Sequence, residues 1–104
     1  MIIYNVTSKV LAPIAEEWLL WMVREHAPAI VATGCFTSFR VLRLLEQDDS
    51  EGPTFTVQYS AADAAGYARY LQEFAPQFRQ EGFDRWGNQF IAFRSVMEVI
   101  HGAV

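Results

Sequence analysis

The chain has 104 residues, of which 52% are hydrophobic and 19% charged, and its formal net charge is −4. The length predicts one domain over residues 1–104, and the acidic balance argues against a protein that mainly holds nucleic-acid phosphates. No apolar run approaches the ~20 residues that span a bilayer, so we expect a soluble, cytoplasmic protein with no membrane or nucleic-acid partner.

The excess of apolar residues predicts that the chain pairs with a second copy of itself. A domain of this size buries a limited share of its surface, so covering apolar area with a second copy would stabilise it. The chain has a single cysteine, Cys35, which excludes an internal disulfide. No Cys-His-acid arrangement or cation-loop spacing surrounds it. We therefore expect a homodimer without a metal site, in which Cys35 is a small buried apolar group.

The chain begins with a predicted strand and a predicted helix. Residues 2–10 are interpreted as a strand from their β-type apolar content. Pro13 fits the first turn of a helix, where a missing N–H is harmless. That helix is predicted to run to about His26, because Pro28 then removes a backbone donor and restricts the residue before it. A short helical turn is predicted to follow, over 28–32.

The second strand is predicted to be the longest. Gly34 is expected to end the preceding helical turn in a left-handed conformation. The run over 32–46 carries large apolar groups on both alternate faces, whereas a strand with one wet face alternates apolar with polar residues. We interpret it as a strand that is covered on both sides. A polar loop follows it, and residues 54–61 alternate cleanly as the next strand of a hairpin.

The last third predicts a helix and a final strand. Asp63 or Ser60 is expected to cap the helix, because both side chains accept from free backbone donors. Pro76 predicts a kink or break inside it, and Gly82 is the expected end, with a loop after it. Residues 89–101 are predicted to form the last strand.

The order β-α-β-β-α-β predicts an α+β fold, the ferredoxin-like sandwich. It has a four-stranded antiparallel sheet with both helices on one face. In the usual spatial order, 4-1-3-2, the second strand lies at an edge. A long apolar edge strand promotes aggregation unless it is covered. We therefore expect two copies to pair through their sheets as a dimeric α+β barrel.

Several stretches spread along the chain carry a family resemblance. They are MIIYNVT at 1–7, EWLLWM at 17–22, EH at 25–26, ATGCFTS at 32–38, EGPT at 51–54, VQY at 57–59 and FIAFR at 90–94. With these the chain resembles a family of small bacterial proteins known only as a numbered domain of unknown function. It is similar in turn to the dimeric α+β barrel superfamily, which includes cofactor-independent monooxygenases and haem-degrading enzymes. The resemblance implies the fold and the pairing, no cofactor, with haem as the alternative, and leaves the function unknown.

An apolar ligand pocket is predicted between the helices and the sheet. Its candidate lining residues are Trp18, Trp21, Met22, His26, Tyr67, Leu71 and Trp86. His26 falls on the core side of the first helix. A neutral imidazole there can act as a base or ligate haem iron, or it can hydrogen-bond the carbonyls freed at the helix end. Trp86 can cap such a pocket or anchor the last loop on the core.

A second, polar set of candidates lies on the strands. If these residues share the sheet face that turns toward the other subunit, they form a hydrogen-bonded cluster inside the barrel, where arginine can bind a carboxylate bidentately. The alternative is internal pairing of an arginine with Glu46 or Glu98, since buried charge normally finds a partner. The set comprises Asn5, Arg40, Gln58 and Arg94.

Three functions follow from these candidates. The first is a homodimer that binds a small apolar or aromatic molecule. The second is a cofactor-independent monooxygenase in which His26 accepts a proton from the substrate. The third is a non-catalytic structural or protein-interaction dimer whose apolar surface is all interface. The sequence leaves open whether the protein is an enzyme.

Overall fold

In the computed structural model, which describes residues 1–102, the β-α-β-β-α-β order is confirmed. The last two positions of the predicted domain, 103 and 104, lie outside the described residues. Among residues 1–102, every helix is too short or too polar to cross a membrane. The elements are β1 (Ile2–Val10), a 3-10 turn (Ala12–Ile14), α1 (Ala15–Trp21), a π-helical turn (Met22–His26), α2 (Ala27–Ala32), β2 (Ser38–Arg43), β3 (Thr54–Ala61), α3 (Ala64–Glu73), α4 (Ala75–Trp86) and β4 (Phe90–Glu98).

The four strands form one antiparallel sheet in the spatial order β2-β3-β1-β4, which is the predicted ferredoxin-like order. Val6 of β1 pairs with Val57 of β3 on one side and with Arg94 of β4 on the other. Since side chains alternate along a strand, this register sorts every strand residue onto one of two faces. We call them the helix face, which packs against the helices, and the open face.

The predicted long strand over 32–46 is wrong in length. α2 occupies its start, Gly34 turns the chain at φ 83°, and β2 has only six residues, Ser38–Arg43. Cys35 and Phe36 lie in the connecting loop and are buried in the core. Of the apolar groups on the two apparent faces, Cys35 and Phe36 therefore belong to a buried loop, whereas Phe39, Val41 and Leu42 lie in β2. The predicted position of the second strand, β2, at the edge of the sheet is confirmed.

The first helix does not stop before Pro28. It continues from α1 into α2 through the π-helical turn, in which the Ala27 N–H donates to the Met22 carbonyl five residues back. Proline lacks an N–H and crowds the carbonyl four residues before it. One wider turn accommodates that defect without ending the helix. The predicted break at this proline is therefore replaced by a local widening.

The second helical segment starts and breaks as expected. The Gly66 N–H donates to the Asp63 side chain at 3.0 Å, which caps α3. The helix breaks at Phe74, whose φ is −126°, and Pro76 sits in the first turn of α4. The predicted end at Gly82 is wrong, because α4 continues to Trp86 and ends at Gly87, where φ is 59°.

The hydrophobic core lies between the helix face and the helices, and aromatic rings dominate it. Trp18 stacks on Phe55 with ring centroids 5.6 Å apart, and Tyr4 stacks on Tyr59 at 5.9 Å. Both Trp18 and Tyr59 are almost completely buried. Rings of this size fit together with gaps, and one such gap is the candidate site.

Candidate functional site

A cavity of about 50 Å³ opens between the helix face and the helices. It has room for roughly three to five water molecules, at about 10–15 Å³ of such volume each. Every helical segment except the 3-10 turn contributes to it, as do β1, β3 and β4. Its lining residues are Tyr4, Val6, Ser8, Trp18, Trp21, Met22, His26, Ile30, Val57, Tyr59, Tyr70, Phe78, Arg79, Gly82, Phe90, Ala92 and Arg94.

The π-helical turn positions the histidine of this cavity. Trp21 and His26 are five residues apart, and their rings stack with centroids 4.3 Å apart and an interplanar angle of 24°. In an ideal α-helix, residues five apart point about 140° away from each other at 3.6 residues per turn. The wider turn brings them into line, and the Phe78 ring also contacts the imidazole edge-on, with centroids 5.7 Å apart. His26 is therefore fixed in an aromatic wall.

The imidazole of His26 is neutral at neutral pH. Burial, and secondarily the positive charge of Arg94, lower the pKa of His26 from 6.5 to about 4. Both causes disfavour the protonated ring. At pH 7 the side chain therefore offers one N–H donor and one nitrogen acceptor.

The floor of the cavity is apolar and aromatic, with hydroxyl groups that stay protonated. Burial raises the pKa of Tyr59 and of Tyr70 above the usual tyrosine value. The Tyr59 hydroxyl lies 4.0 Å from the Met22 sulfur. The Trp18 indole N–H is buried and has no hydrogen-bond partner within the described chain. The floor thus combines wide apolar surface with a few donors.

Four of the seven predicted pocket residues line the cavity: Trp18, Trp21, Met22 and His26. The structure does not bring the other three into it. The Tyr67 ring packs on Tyr4 with centroids 5.3 Å apart, and Leu71 is partly exposed on α3. The Trp86 ring contacts Trp21 edge-on, with centroids 5.8 Å apart. Trp86 is buried in a helix, so its ring anchors α4 on the core and the loop predicted there does not exist.

Haem does not fit this cavity. Pockets for drug-sized ligands measure ~300–1,000 Å³, and a haem macrocycle needs at least that much room, against about 50 Å³ here. In the part of the chain that the structure describes, no group of three or more His, Cys, Asp or Glu side chains is arranged to hold a metal ion.

The predicted polar cluster divides between the two faces of the sheet. Asn5, Arg40 and Gln58 lie on the open face, where the Arg40 Nε donates to the Gln58 Oε1 at 2.8 Å. The Asn5 amide donates to Thr7 on the same face at 3.1 Å. Arg94 lies on the opposite, helix face and lines the cavity. The proposed pairing with Glu46 or Glu98 is not formed in residues 1–102.

Apolar side chains of β4 are exposed on the open face. Phe93 is 67% exposed and Ile91 59%, and Met97 continues the same row. On the opposite edge strand Leu42 is exposed on the same face. Apolar surface therefore flanks a polar centre that includes the hydrogen-bonded pair Thr7 and Thr56, 3.0 Å apart. We call the row of Ile91, Phe93 and Met97 the β4 apolar row.

Two charged residues of the cavity were not recognised as a pair from the sequence. Arg79 is not among the residues that the sequence singles out, and Arg94 is predicted as one of four polar strand residues on the sheet face that turns toward the other subunit. Tyr4 is the residue that joins Arg79 to the cavity, because its hydroxyl accepts a hydrogen bond from the Arg79 Nη2 at 3.3 Å. No sequence spacing links residues 75 positions apart, so only the fold brings them together.

Solved structures with this fold include three informative neighbours. A variant of SnoaB from Streptomyces nogalater, a cofactor-independent oxygenase, is 13% identical with a TM-score of 0.70, and the match covers 97% of this chain and 95% of that one. A dimeric ferredoxin-like protein from an uncultured marine organism is 17% identical with a TM-score of 0.66, covering 98% and 97%. A dimeric ferredoxin-like protein of unknown function from Jannaschia sp. CCS1 is 14% identical with a TM-score of 0.58, covering 95% and 100%. These likenesses show the ferredoxin-like fold.

At the sequence level, a family model described as "Domain of unknown function (DUF4286)" matches residues 1–100. No curated protein matches the chain.

Proposed function

Since the chain belongs to the family described as Domain of unknown function (DUF4286), we propose a function from the chemistry of its cavity. The protein is a homodimer that binds a small, largely apolar molecule between the helices and the sheet. The observation that carries this proposal is the cavity itself, an aromatic gap into which a neutral histidine and two arginines also reach. Sites for small molecules combine a mostly apolar lining with a few convergent polar groups in this way.

The size of the cavity limits the ligand. About 50 Å³ accepts a body of roughly three to five non-hydrogen atoms, judged by the number of waters it holds. Trp18 lies in the fully buried floor, whereas Arg79 and Arg94 are exposed to solvent at the rim. A ligand therefore enters from the side of the arginines with its apolar part toward the floor.

Replacing Gly82 with Ala is expected to abolish binding while stabilising the fold. A Cβ there would lie 3.7 Å from the Phe90 ring and 3.8 Å from the Trp21 ring, which are ordinary contacts, and it would fill part of the cavity. Glycine inside a helix costs about 0.5–1 kcal/mol relative to alanine. The measurement is a titration with isobutyramide, followed by the indole N–H signals of Trp18 and Trp21 in NMR spectra, beside urea unfolding.

Gln77→Ala is the matched control, because Gln77 is exposed on the same helix and does not line the cavity. It should bind isobutyramide as the wild type does. Absence of a saturable shift in the wild type would contradict the proposed function. Such an outcome would favour a structural or protein-interaction dimer without a ligand.

Pairing of two copies through the open face is the second part of the proposal. The β4 apolar row is exposed, and single chains rarely leave such rows uncovered. Two of the structural neighbours are described as dimeric ferredoxin-like proteins. Stacked sheets would also place the hydrogen-bonded pair Arg40 and Gln58 of each copy in the interface. Specific interfaces tolerate polar centres of this kind when the groups are paired.

A second candidate function is a cofactor-independent oxygenase, favoured by the likeness to SnoaB and by the neutral imidazole in the cavity. Here His26 would accept a proton from an electron-rich substrate. A base with a pKa of about 4 is poorly matched to this task, because catalytic bases work best with a pKa near the operating pH. Simple binding is therefore the better supported function.

Oxygen uptake tests the oxygenase directly. If the protein is such an enzyme, uptake with small quinol substrates should fall at least ~100-fold in His26→Gln, the range general-base catalysis typically supplies. His101→Gln, which changes an exposed histidine, should keep the full rate. Equal uptake in wild type and His26→Gln would exclude His26 as the base.

A further inference from the structure

Two arginines converge on the cavity, and neither forms an ion pair within residues 1–102. Arg79 of α4 and Arg94 of β4 both line it, and its lining contains no aspartate or glutamate. The ion pairs formed within residues 1–102 are Arg43 with Asp49 and Arg69 with Glu73. A guanidinium is charged at every physiological pH, so the rim carries two positive charges in a chain whose net charge is −4.

The acidic residues nearest Arg79 on α4 hydrogen-bond to other side chains. On α4, Glu81 accepts from Gln77 at 3.4 Å and Asp84 accepts from Gln80 at 2.8 Å. Arg79 itself donates to the Tyr4 hydroxyl, which fixes its head at the cavity and leaves its other N–H groups free. The arrangement holds one guanidinium in place for a further acceptor.

The two guanidinium groups influence the pKa values of residues in the same part of the cavity. Arg94 is close enough to His26 to disfavour its protonation, and both Arg79 and Arg94 oppose the rise in the pKa of Tyr70 that burial causes. The charges therefore surround the region between Tyr4, Tyr70 and His26, where donors outnumber acceptors. The indole N–H of Trp18, a residue of the same lining, is buried and has no hydrogen-bond partner within residues 1–102.

We propose, on the basis of the binding function above, that the ligand is a small organic carboxylate whose charged group is bound by Arg79 and Arg94 and whose short apolar body rests on the aromatic floor. Arginine matches the two oxygens of a carboxylate geometrically. The apolar side chains of Trp18, Val57 and Phe78 in the floor favour a ligand whose inner part is largely apolar. The cavity volume sets the body at a few carbon atoms.

The test compares isobutyrate with isobutyramide, which have nearly the same shape and differ in charge. The probe is again the indole N–H signals of Trp18 and Trp21 at pH 7. Isobutyrate is expected to bind at least ~10-fold more tightly, about 1.4 kcal/mol. Arg94→Gln and Arg79→Gln should each reduce that preference to less than about twofold by weakening isobutyrate binding more than isobutyramide binding, because a neutral amide draws less on the guanidinium charges.

Arg85→Gln is the matched control, since Arg85 lies over the ring of Trp86 and outside the cavity; it should keep the full preference. Equal binding of isobutyrate and isobutyramide would overturn the carboxylate proposal and leave the binding function standing. Binding of neither would overturn both. Binding of inorganic phosphate as tightly as isobutyrate would show a bare anion site and overturn the proposal that the ligand has an apolar body. Unchanged thermal unfolding of the variants verifies that the fold is intact.

Discussion

Phe93→Asp is expected to leave the protein monomeric at concentrations where the wild type is a dimer. Phe93 is 67% exposed in the middle of the β4 apolar row, on the open face of the sheet. Burying a phenylalanine contributes about 1.5–3 kcal/mol, and a twofold interface contains each residue twice. An aspartate there also loses its hydration on pairing. The dissociation constant should therefore rise at least ~100-fold, about 2.7 kcal/mol.

Sedimentation equilibrium over a range of micromolar concentrations measures this change. Phe83→Asp is a close control, because Phe83 is 62% exposed on α4, on the other side of the sheet. It removes as much exposed apolar surface and adds the same charge, yet it should leave the dimer intact. A wild-type protein that stays monomeric, or a Phe93→Asp variant that stays dimeric, would show that the open face is not the interface.

Acid is expected to destabilise the wild type more than His26→Gln. The pKa of His26 is about 4 in the fold and 6.5 in the unfolded chain. Between these values the unfolded chain binds more protons, so stability rises with pH across that window. The contribution of His26 is complete above about pH 6.5 and is lost as the pH falls toward 4. This difference between the folded and unfolded pKa lowers the free energy of unfolding by about 2 kcal/mol from pH 7 to pH 4.5.

Urea unfolding at pH 7 and pH 4.5, at one fixed protomer concentration, tests the effect. Carboxylates also titrate in this range. The informative quantity is therefore the decrease in the free energy of unfolding from pH 7 to pH 4.5 in the wild type minus the same decrease in His26→Gln. Glutamine keeps a neutral polar side chain and removes the titration. His101→Gln changes an exposed histidine and should retain the wild-type loss. Parallel losses in wild type and His26→Gln would mean that His26 titrates normally.

These two results would bear on the cavity together. A dimer through the open face leaves the helix face and its cavity free in each copy, since the two lie on opposite sides of the sheet. A histidine that resists protonation indicates a closed, poorly hydrated wall around it. Ligand exchange would then depend on the rim at Arg79 and Arg94 and not on the interface.

Much of the fold could be predicted because the local signals agreed with each other. The boundaries of β1 and β3 follow from strand-forming runs bounded by turn residues. Asp63 caps its helix and Gly34 ends one at φ 83° because these side chains suit those backbone positions. The element order then limits the topology, since crossover connections are right-handed.

The candidate site was less predictable, because no local sequence signal determines which face of the sheet its residues occupy. The alternation of β4 separates Arg94 from Phe93 but does not tell which of them faces the helices; the pairing of Val10 with Phe90 decides it. Likewise the apolar run around Cys35 and Phe36 fits a buried loop as well as a strand, because periodicity alone does not distinguish them.

The sequence by itself determined the β-α-β-β-α-β order and four of the seven predicted cavity residues, since Trp18, Trp21, Met22 and His26 lie on one short helical stretch. Tertiary structure alone decided the continuation of the helix through Pro28, where the π-helical turn, with its hydrogen bond from the Ala27 N–H to the Met22 carbonyl, accommodates the proline and aligns His26 with Trp21. It also decided the meeting of Arg79 and Arg94, because the register of β4 and the docking of α4 depend on contacts between residues far apart in the chain.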